Sequence, residues 1–313
     1  MIRLGLLTTA RIDGAVLDAR GDDAPFRVDA VGSRSRERAE TFARAYGIPR
    51  AHGSYEELLA DPELDAVYVA LPAALHHEWT MRALVAGKHV LVEKPYTARP
   101  DEVDEAWDEA ERRRLVLTEG YMWRHSAQTR LLRELLPRVG EVQGLHASFY
   151  GILERTDDVR YVPELGGGAL LDLGCYCASA ARLVLGEPDR VYGEATTGRG
   201  GVDVRFAATL RFGDVAATFA CGFTARSQAL EVVGADGTIV SRQPFWGGTG
   251  VVVLDGEEQR AAPGDHYRAE LDDFCAAIRG ERGVLVDRAE MKGQARVLEA
   301  LARSARANEP VRL

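Results

Sequence analysis

Short apolar runs alternate with stretches of helical period over the first 120 residues, the arrangement expected of a parallel α/β sheet. Ile2–Leu7, Phe26–Gly32, Ala66–Leu71 and Lys88–Val92 are strand-like, and Leu115–Thr118 gives a further strand. Between them, Ala39, Phe42, Ala43 and Tyr46 share a helix face that follows Ser35 and stops at Gly47. Ser54-Tyr55-Glu56-Glu57 fits a capping box, and Asp61-Pro62 ends that helix. Pro100 opens another helix, with Val103, Ala106, Trp107 and Ala110 on one side.

The pattern changes near residue 120. Val204, Phe206, Ala208, Leu210 and Phe212 alternate with Arg205, Ala207, Thr209 and Arg211, a period of two that buries one face of a strand. Val142–Tyr150, Val215–Cys221, Ala229–Gly234, Gly237–Ser241 and Val251–Leu254 complete a mostly antiparallel open sheet. Helices flank it near Ala169–Leu185 and Tyr267–Arg279, the second carrying a stripe of Tyr267, Leu271, Phe274, Cys275 and Ile278. The predicted fold class is α/β, with a doubly wound parallel sheet over residues 1–120 and an α+β domain over 121–313. The C-terminal segment has room to pack back on the first domain. Two domains also suit a length of 313 residues.

Charge narrows the partner. With 48 acidic and 39 basic residues the net charge is -9, which argues against nucleic acid or an anionic membrane and for a small molecule. Met1-Ile2-Arg3 runs straight into a strand, without the regions of a signal peptide, and no run approaches the roughly 18 apolar residues of a membrane span. A cytoplasmic protein is expected. Cys175, Cys177, Cys221 and Cys275 are too few and scattered for a disulfide scaffold or zinc site and read as small buried residues.

Val92-Glu93-Lys94-Pro95 closes an apolar strand and leaves a lysine at its carboxyl end, the side on which an open parallel sheet binds its ligands. Lys94 is therefore the first catalytic candidate. Gly5-Leu6-Leu7-Thr8-Thr9-Ala10-Arg11-Ile12 is a strand-to-helix turn of the kind that directs backbone N–H groups at a pyrophosphate. Gly5 and Ala10 fit the Gly-x-Gly-x-x-Gly/Ala fingerprint, Leu7 does not, and an ordinary turn explains the same residues. Ser33-Arg34-Ser35 suits a 2′ phosphate, or else is a helix cap beside a solvated arginine. Asp172 and Tyr176, four residues apart beyond Gly166-Gly167-Gly168, lie on one helix face and can address one pocket; the alternative is a helix-terminal carboxylate and a structural tyrosine. His76-His77 point in different directions on a helix, and no carboxylate pattern completes a metal site. Tyr121-Met122-Trp123-Arg124 either lines a cleft or packs a domain junction.

In this order and spacing, the glycine turn, Leu71-Pro72 with His76, Glu93-Lys94-Pro95, Glu119-Gly120-Tyr121-Met122-Trp123-Arg124 and the glycine-rich entry to Asp172 resemble the Gfo/Idh/MocA oxidoreductases over essentially the full chain. The resemblance implies an N-terminal Rossmann domain with NADP(H) preferred and NAD(H) as the other cofactor. It implies cofactor contacts from Gly5, Thr8, Thr9, Ala10, Arg11, Ile12, Ser33, Arg34, Arg38, Leu71, Pro72, His76, Glu93 and Lys94, and no metal. Many relatives carry Asp-x-x-x-His where this chain has Asp172 and Tyr176. Tyrosine is similar to the branch of glucose-fructose oxidoreductase, dimeric dihydrodiol dehydrogenase, NADP-linked xylose dehydrogenase and some ketosugar reductases, which implies Lys94 and Tyr176 as the catalytic pair. That branch often has glycine where Thr8 stands, and a threonine hydroxyl there could donate to a phosphate oxygen.

The expected reaction is hydride transfer between nicotinamide and a carbinol or carbonyl carbon of a sugar or cyclic polyol, as in an aldose 1-dehydrogenase or dihydrodiol dehydrogenase. A ketosugar reductase, nucleotide-linked or not, is the alternative. Tyr176 would exchange the hydroxyl proton, its ordinary pKa of about 10 lowered by the Lys94 ammonium. Asp172 would bind a second hydroxyl or orient Lys94. Tyr121, Trp123, Arg124, Arg160, Tyr161 and Trp246 are substrate-pocket candidates, with Arg124 and Arg160 also suited to a charged group such as a nucleotide diphosphate. An NAD-dependent glycosidase and a non-catalytic regulator are rivals from other classes. The open face of the second sheet, which relatives commonly bury on another subunit, predicts a homodimer or homotetramer.

Overall fold

The apolar runs of the first half build a six-stranded parallel sheet in the order β3-β2-β1-β4-β5-β6. Along the chain its elements are β1 (Ile2–Leu6), α1 (Asp13–Asp18), β2 (Phe26–Gly32), α2 (Arg36–Tyr46), β3 (Arg50–His52), α3 (Tyr55–Leu59), β4 (Ala66–Val69), α4 (His76–Val85), β5 (His89–Glu93), α5 (Pro100–Arg113) and β6 (Leu117–Gly120). The computed structural model describes residues 1–155, 157–198, 200–246 and 250–313. It divides into two compact units, Met1–Tyr121 with Tyr267–Lys292, and Met122–His266 with Gly293–Leu313.

In the first unit the strand order reverses between β1 and β4, so the turn after β1 opens at a topological switch point. Leu4, Leu6, Phe26, Val28, Val31, Tyr68 and Leu91 share a core with Leu271, Phe274 and Cys275, from a helix over His266–Ile278. Burying each large apolar side chain there contributes about 1.5–3 kcal/mol. Ser35 caps α2 by accepting from Arg38 N–H, and Gly47 ends it at φ 67°. Ser54 caps α3 through Glu57 N–H at 3.0 Å, but the Glu57 carboxylate reaches Gly53 N–H at 2.9 Å, one residue before the reciprocal bond of a capping box. Two expectations shift. The strand expected at Leu115–Thr118 lies at Leu117–Gly120, because Leu115 N–H still bonds the α5 end at Ala110. The short, half-buried β3 has no apolar run to announce it.

The second unit contains α6 (Met122–His125), α7 (Ala127–Leu135), β7 (Val142–Ile152), α8 (Cys175–Leu185), β8 (Arg190–Thr197), β9 (Asp203–Phe212), β10 (Val215–Gly222), β11 (Thr224–Gly234), β12 (Thr238–Arg242), β13 (Val251–Leu254) and β14 (Glu257–Arg260). After α9 (His266–Ile278), which belongs to the first unit from Tyr267 onward, come α10 (Arg288–Ala307), divided between the units, and β15 (Val311–Arg312). The nine strands run in the order β14-β13-β12-β11-β7-β10-β9-β8-β15, antiparallel except for the parallel pair β7 and β10. Phe206, Ala208, Leu210 and Phe212 turn inward from β9 as the alternation requires, while Arg205, Ala207 and Thr209 face out. A π-helical turn, Leu170–Gly174, leads into α8, and both pack on the buried face. The stretch Pro163–Leu185, though interrupted by Glu164, Asp172 and Arg182, is long and apolar enough to cross a membrane by length and composition; 72% of its apolar window is buried inside the protein, as in a core helix.

Candidate active site

In the first unit the chain leaves β1 through a turn fastened to β4 by Leu7 N–H on Tyr68 O, 3.0 Å. The Thr8 hydroxyl and the Ala10 N–H both donate to Asp13 Oδ2, each at 2.7 Å. The hydroxyl that the sequence offers to a phosphate is therefore committed to Asp13. The N–H groups of Thr9, Arg11 and Ile12 meet no acceptor among the described residues, leaving three donors in one turn for an anionic group. Gly5 lies within β1, where a Cβ would come 2.7 Å from Leu64 Cδ1, so a side chain there would require Leu64 to shift. At the end of β2, Ser33 is buried and its Oγ accepts from Ser35 N–H at 3.3 Å. Arg34 is exposed and hydrogen-bonded to the Tyr55 hydroxyl, whose pKa burial raises and Arg34 pulls back. Thr9, Ser35, Arg38 and Thr41 help to line an open hollow of about 720 Å³ beside α2.

Further along the same edge, β5 ends at Glu93 and Lys94 follows, with a cis peptide between Lys94 and Pro95. Glu93 Oε1 accepts from the Tyr68 hydroxyl at 2.5 Å and Oε2 from Lys94 N–H at 3.2 Å. Burial and then the Glu93 carboxylate hold the Tyr68 phenol well above its usual range. His76 sits between two carbonyls, Nδ1 at 2.8 Å from Pro95 O and Nε2 at 2.7 Å from Leu71 O, tying the end of β4 to the segment after Lys94. Burial lowers the imidazole to about 4, the Lys94 ammonium adding to the effect and the carbonyls opposing it. Tyr96 N–H donates to Glu119 Oε1 at 2.7 Å. Glu270, from α9, is buried with Oε1 lacking a donor among the described residues, and burial followed by Glu93, Asp273 and Glu119 holds its carboxyl well above the usual range.

In the second unit Asp172 lies in the π-helical turn and Tyr176 in the first turn of α8. Arg160 Nε donates to Asp172 Oδ2 at 2.9 Å and Nη1 to Asp158 Oδ1 at 3.2 Å, and Asp172 first among these holds the guanidinium above its ordinary value. The turn is seated by Asp203, whose carboxylate accepts from Leu170 N–H at 2.7 Å; burial raises that carboxyl to about 6. Gly168, at φ 124°, leaves the room Asp203 occupies, since a Cβ would stand 2.1 Å from Oδ1. The Tyr176 hydroxyl lies 3.7 Å from Met122 Sδ, and its ring meets Phe149 edge-on at 5.2 Å and Phe245 at 5.6 Å. Trp246, 54% exposed, also meets Phe149 edge-on at 5.2 Å.

The pocket candidates divide. Arg160 and Asp172 come together, and Trp246 joins the Tyr176 aromatic group. Trp123 is fully buried against Phe245, and Arg124 is buried with Nη1 3.5 Å from Ser179 Oγ, so both pack rather than offer an open wall. The Tyr161 hydroxyl reaches Leu153 O at 3.4 Å, and Tyr121 is buried. Sequence reading passed over Asp13, Tyr68, Asp158, Asp203 and Glu270. Asp13 carried one signal, an acid three residues beyond Ala10 in a turn examined for phosphate binding.

Known proteins resemble this chain in sequence and in fold. Residues 7–121 match the model of an oxidoreductase family with an NAD-binding Rossmann fold, and residues 130–240 match the GFO/IDH/MocA C-terminal domain. The chain is 35% identical over 325 aligned residues to D-xylose 1-dehydrogenase (NADP(+)) 2 of Haloferax volcanii, covering 99% of both. It is 38% identical to a dTDP-3,4-didehydro-2,6-dideoxy-alpha-D-glucose 3-reductase of Streptomyces violaceoruber, over 85% of this chain and 82% of that one. A 3-ketoreductase from Actinomadura kijaniata, solved with NADP and TDP-benzene, superposes with a TM-score of 0.91 at 31% identity, over 97% of each chain. With a match reaching across both units, and Lys94 closing β5 of a sheet in this strand order, the chain belongs to the Gfo/Idh/MocA oxidoreductases.

Proposed function

We propose that this oxidoreductase prefers NADP(H) to NAD(H) and acts on a neutral sugar or related cyclic polyol, foremost an aldose oxidised at its first carbon. The observation that carries the substrate class is the clasp of Arg160 between Asp172 and Asp158. With that guanidinium matched by two carboxylates and Arg124 buried, the cations the sequence set aside for a diphosphate are engaged within the protein. Hydroxyl groups suit a carboxylate-rich lining better than phosphates do. The NADP-linked xylose dehydrogenase among the relatives supports the same reading.

The open amides of Thr9, Arg11 and Ile12 are the donors for the pyrophosphate, and Arg34 and Arg38 supply cations for a 2′ phosphate beside Ser33. Bound there, the nicotinamide supplies the hydride acceptor or donor. Lys94 and Tyr176 act as the catalytic pair: Tyr176 takes the carbinol proton in oxidation and returns it in reduction, while the Lys94 ammonium steadies the phenolate and the substrate oxygen. Asp172, held by Arg160, binds a neighbouring hydroxyl or orients Lys94. Cytoplasmic residence fits four buried cysteines that form no disulfide among the described residues. The outward face of the nine-stranded sheet, with Thr209, Thr218, His146 and Glu231, is the proposed homodimer or homotetramer surface, which light scattering of a dilute monomer would contradict.

A second reading, reduction of a ketosugar carried on a nucleotide, is favoured by the likeness to the Actinomadura ketoreductase. Nicotinamide absorbance with NADP+ and a panel of free aldoses, cyclic polyols and dihydrodiols separates the two. Steady NADPH formation with a free sugar supports the dehydrogenase. Silence with every free sugar, together with NADPH consumption on a nucleotide-linked ketosugar, would replace it. Glycosidic cleavage without net nicotinamide change would point to the glycosidase instead.

A further inference from the structure

Asp13 has no exposed surface, and its two oxygens are treated unequally. Oδ2 accepts from the Thr8 hydroxyl and the Ala10 N–H, whereas Oδ1 is buried without a donor among the described residues. An ionised carboxylate would leave one oxygen's lone pairs unmatched in protein, a costly state. Among the described residues the groups that act on it are acids and phenols: Glu93 from the end of β5, Tyr68 from β4 and Tyr55 from α3, whose hydroxyl is already met by Arg34. The open amides of Thr9, Arg11 and Ile12 lie in the same turn, so a diphosphate received there places further negative charge beside this carboxyl.

We infer that Asp13 enters the dinucleotide-bound state as a neutral carboxylic acid, so that cofactor binding takes up one proton from solvent at this turn. The step is simple in balance: a buffer acid gives its proton to one carboxylate oxygen, and no bond to the cofactor forms or breaks. In the free protein burial raises the Asp13 carboxyl to about 7, against the pull of Thr8 and Ala10 and with a push from Glu93. At pH 8 the free group is then mostly ionised, and a nearby diphosphate favours the neutral form. Uptake should approach one proton at pH 8 and fall well below one at pH 6. Dinucleotide affinity should accordingly weaken as pH rises above 7, toward tenfold per unit. The inference rests on the proposed placement of the pyrophosphate at this turn.

Calorimetric titration of NADP+ into the full-length protein, in two buffers of different ionisation heat, counts the protons. Asp13→Asn keeps an oxygen for Thr8 and Ala10 and fixes the neutral form. The titration of the ligand's own phosphate, near pH 6, is common to both proteins, so the difference between them isolates Asp13. The expected result is proton uptake by the parent at pH 8, none by Asp13→Asn, and an affinity for the variant that stays level from pH 7 to 8.5. Buffer-independent heat in the parent, or equal uptake by both proteins, would overturn the inference while leaving the cofactor site intact. Should Asp13→Asn not fold, the parent's heats at pH 6 and pH 8 decide alone. Failure of the parent to bind NADP+ would remove the cofactor placement and this inference with it.

Discussion

In the first unit Asp13 and Glu270 are sealed in protein, each with an oxygen that meets no donor among the described residues, whereas in the second Asp172 and Asp158 lie half-buried around one guanidinium. The same chemical group meets opposite environments. Burial without a cation raises a carboxyl, and pairing with arginine favours its ionised form. The carboxyl beside the β1 turn can therefore change its protonation in the neutral range, while the two in the second unit are tied to a guanidinium. A fold that separates these tasks can alter one without disturbing the other.

The largest test of this division takes one residue from each unit. Lys94→Ala and Tyr176→Phe should each lower kcat by about a hundredfold or more while NADP(H) binding is kept, because each removes a group exchanging or steadying the transferred proton. Near-normal turnover in either variant would dissolve the pair. Next, Arg160→Ala should lower kcat roughly tenfold by releasing Asp172, and Arg160→Lys should restore part of that loss, since lysine keeps the charge without the fork. Steady-state assays at saturating NADP+ decide it, and an unchanged kcat would free Asp172 from Arg160.

A smaller effect belongs to the cofactor end. Arg34→Ala should weaken NADP(H) about tenfold and NAD(H) by much less, the loss of one charge-assisted phosphate contact; equal losses in fluorescence titrations would remove the phosphate role. The smallest is a shift in melting temperature. Asp13 titrates near 4 when unfolded and at about 7 when folded, so its contribution to stability is fully present below pH 4 and is lost as pH rises to 7. Asp13→Asn should therefore melt a few degrees above the parent at pH 8 and close to it at pH 4. Glu270, raised in the same direction, predicts a similar gain for Glu270→Gln; a loss at pH 8 in both would mean that their hydrogen bonds outweigh their burial.

How much of this was readable in the sequence follows from the physics of each signal. The parallel strands and the inward face of β9 depend on burial, which writes itself as apolar period, and both were legible. Lys94 was legible because the end of a strand can be found from the strand. Arg50–His52 was not, since three half-buried residues have no period. The full burial of Trp123 depends on Phe245, distant in sequence, and the clasp of Arg160 on the path of an irregular loop that has no period, so type and position marked them as pocket residues without showing what they touch. Asp13 stands at the limit: its place in the turn was visible, but its importance lies in an oxygen without a partner.

The return of Tyr267–Lys292 to the first unit bears on how the chain is made. Leu271, Phe274 and Cys275 belong to the same core as Leu4, Leu6 and Phe26, yet residues 122–266 separate the two parts of the unit, which at about 5–20 residues per second is a delay of roughly seven to thirty seconds on the ribosome. The amino-terminal sheet must wait for this helix until eight of the nine strands of the second sheet have emerged. A fragment cut after Tyr121 would keep every strand of the nucleotide edge but bare the apolar floor on which Leu271 and Phe274 rest, so it should be recovered as aggregate rather than as a free-standing domain.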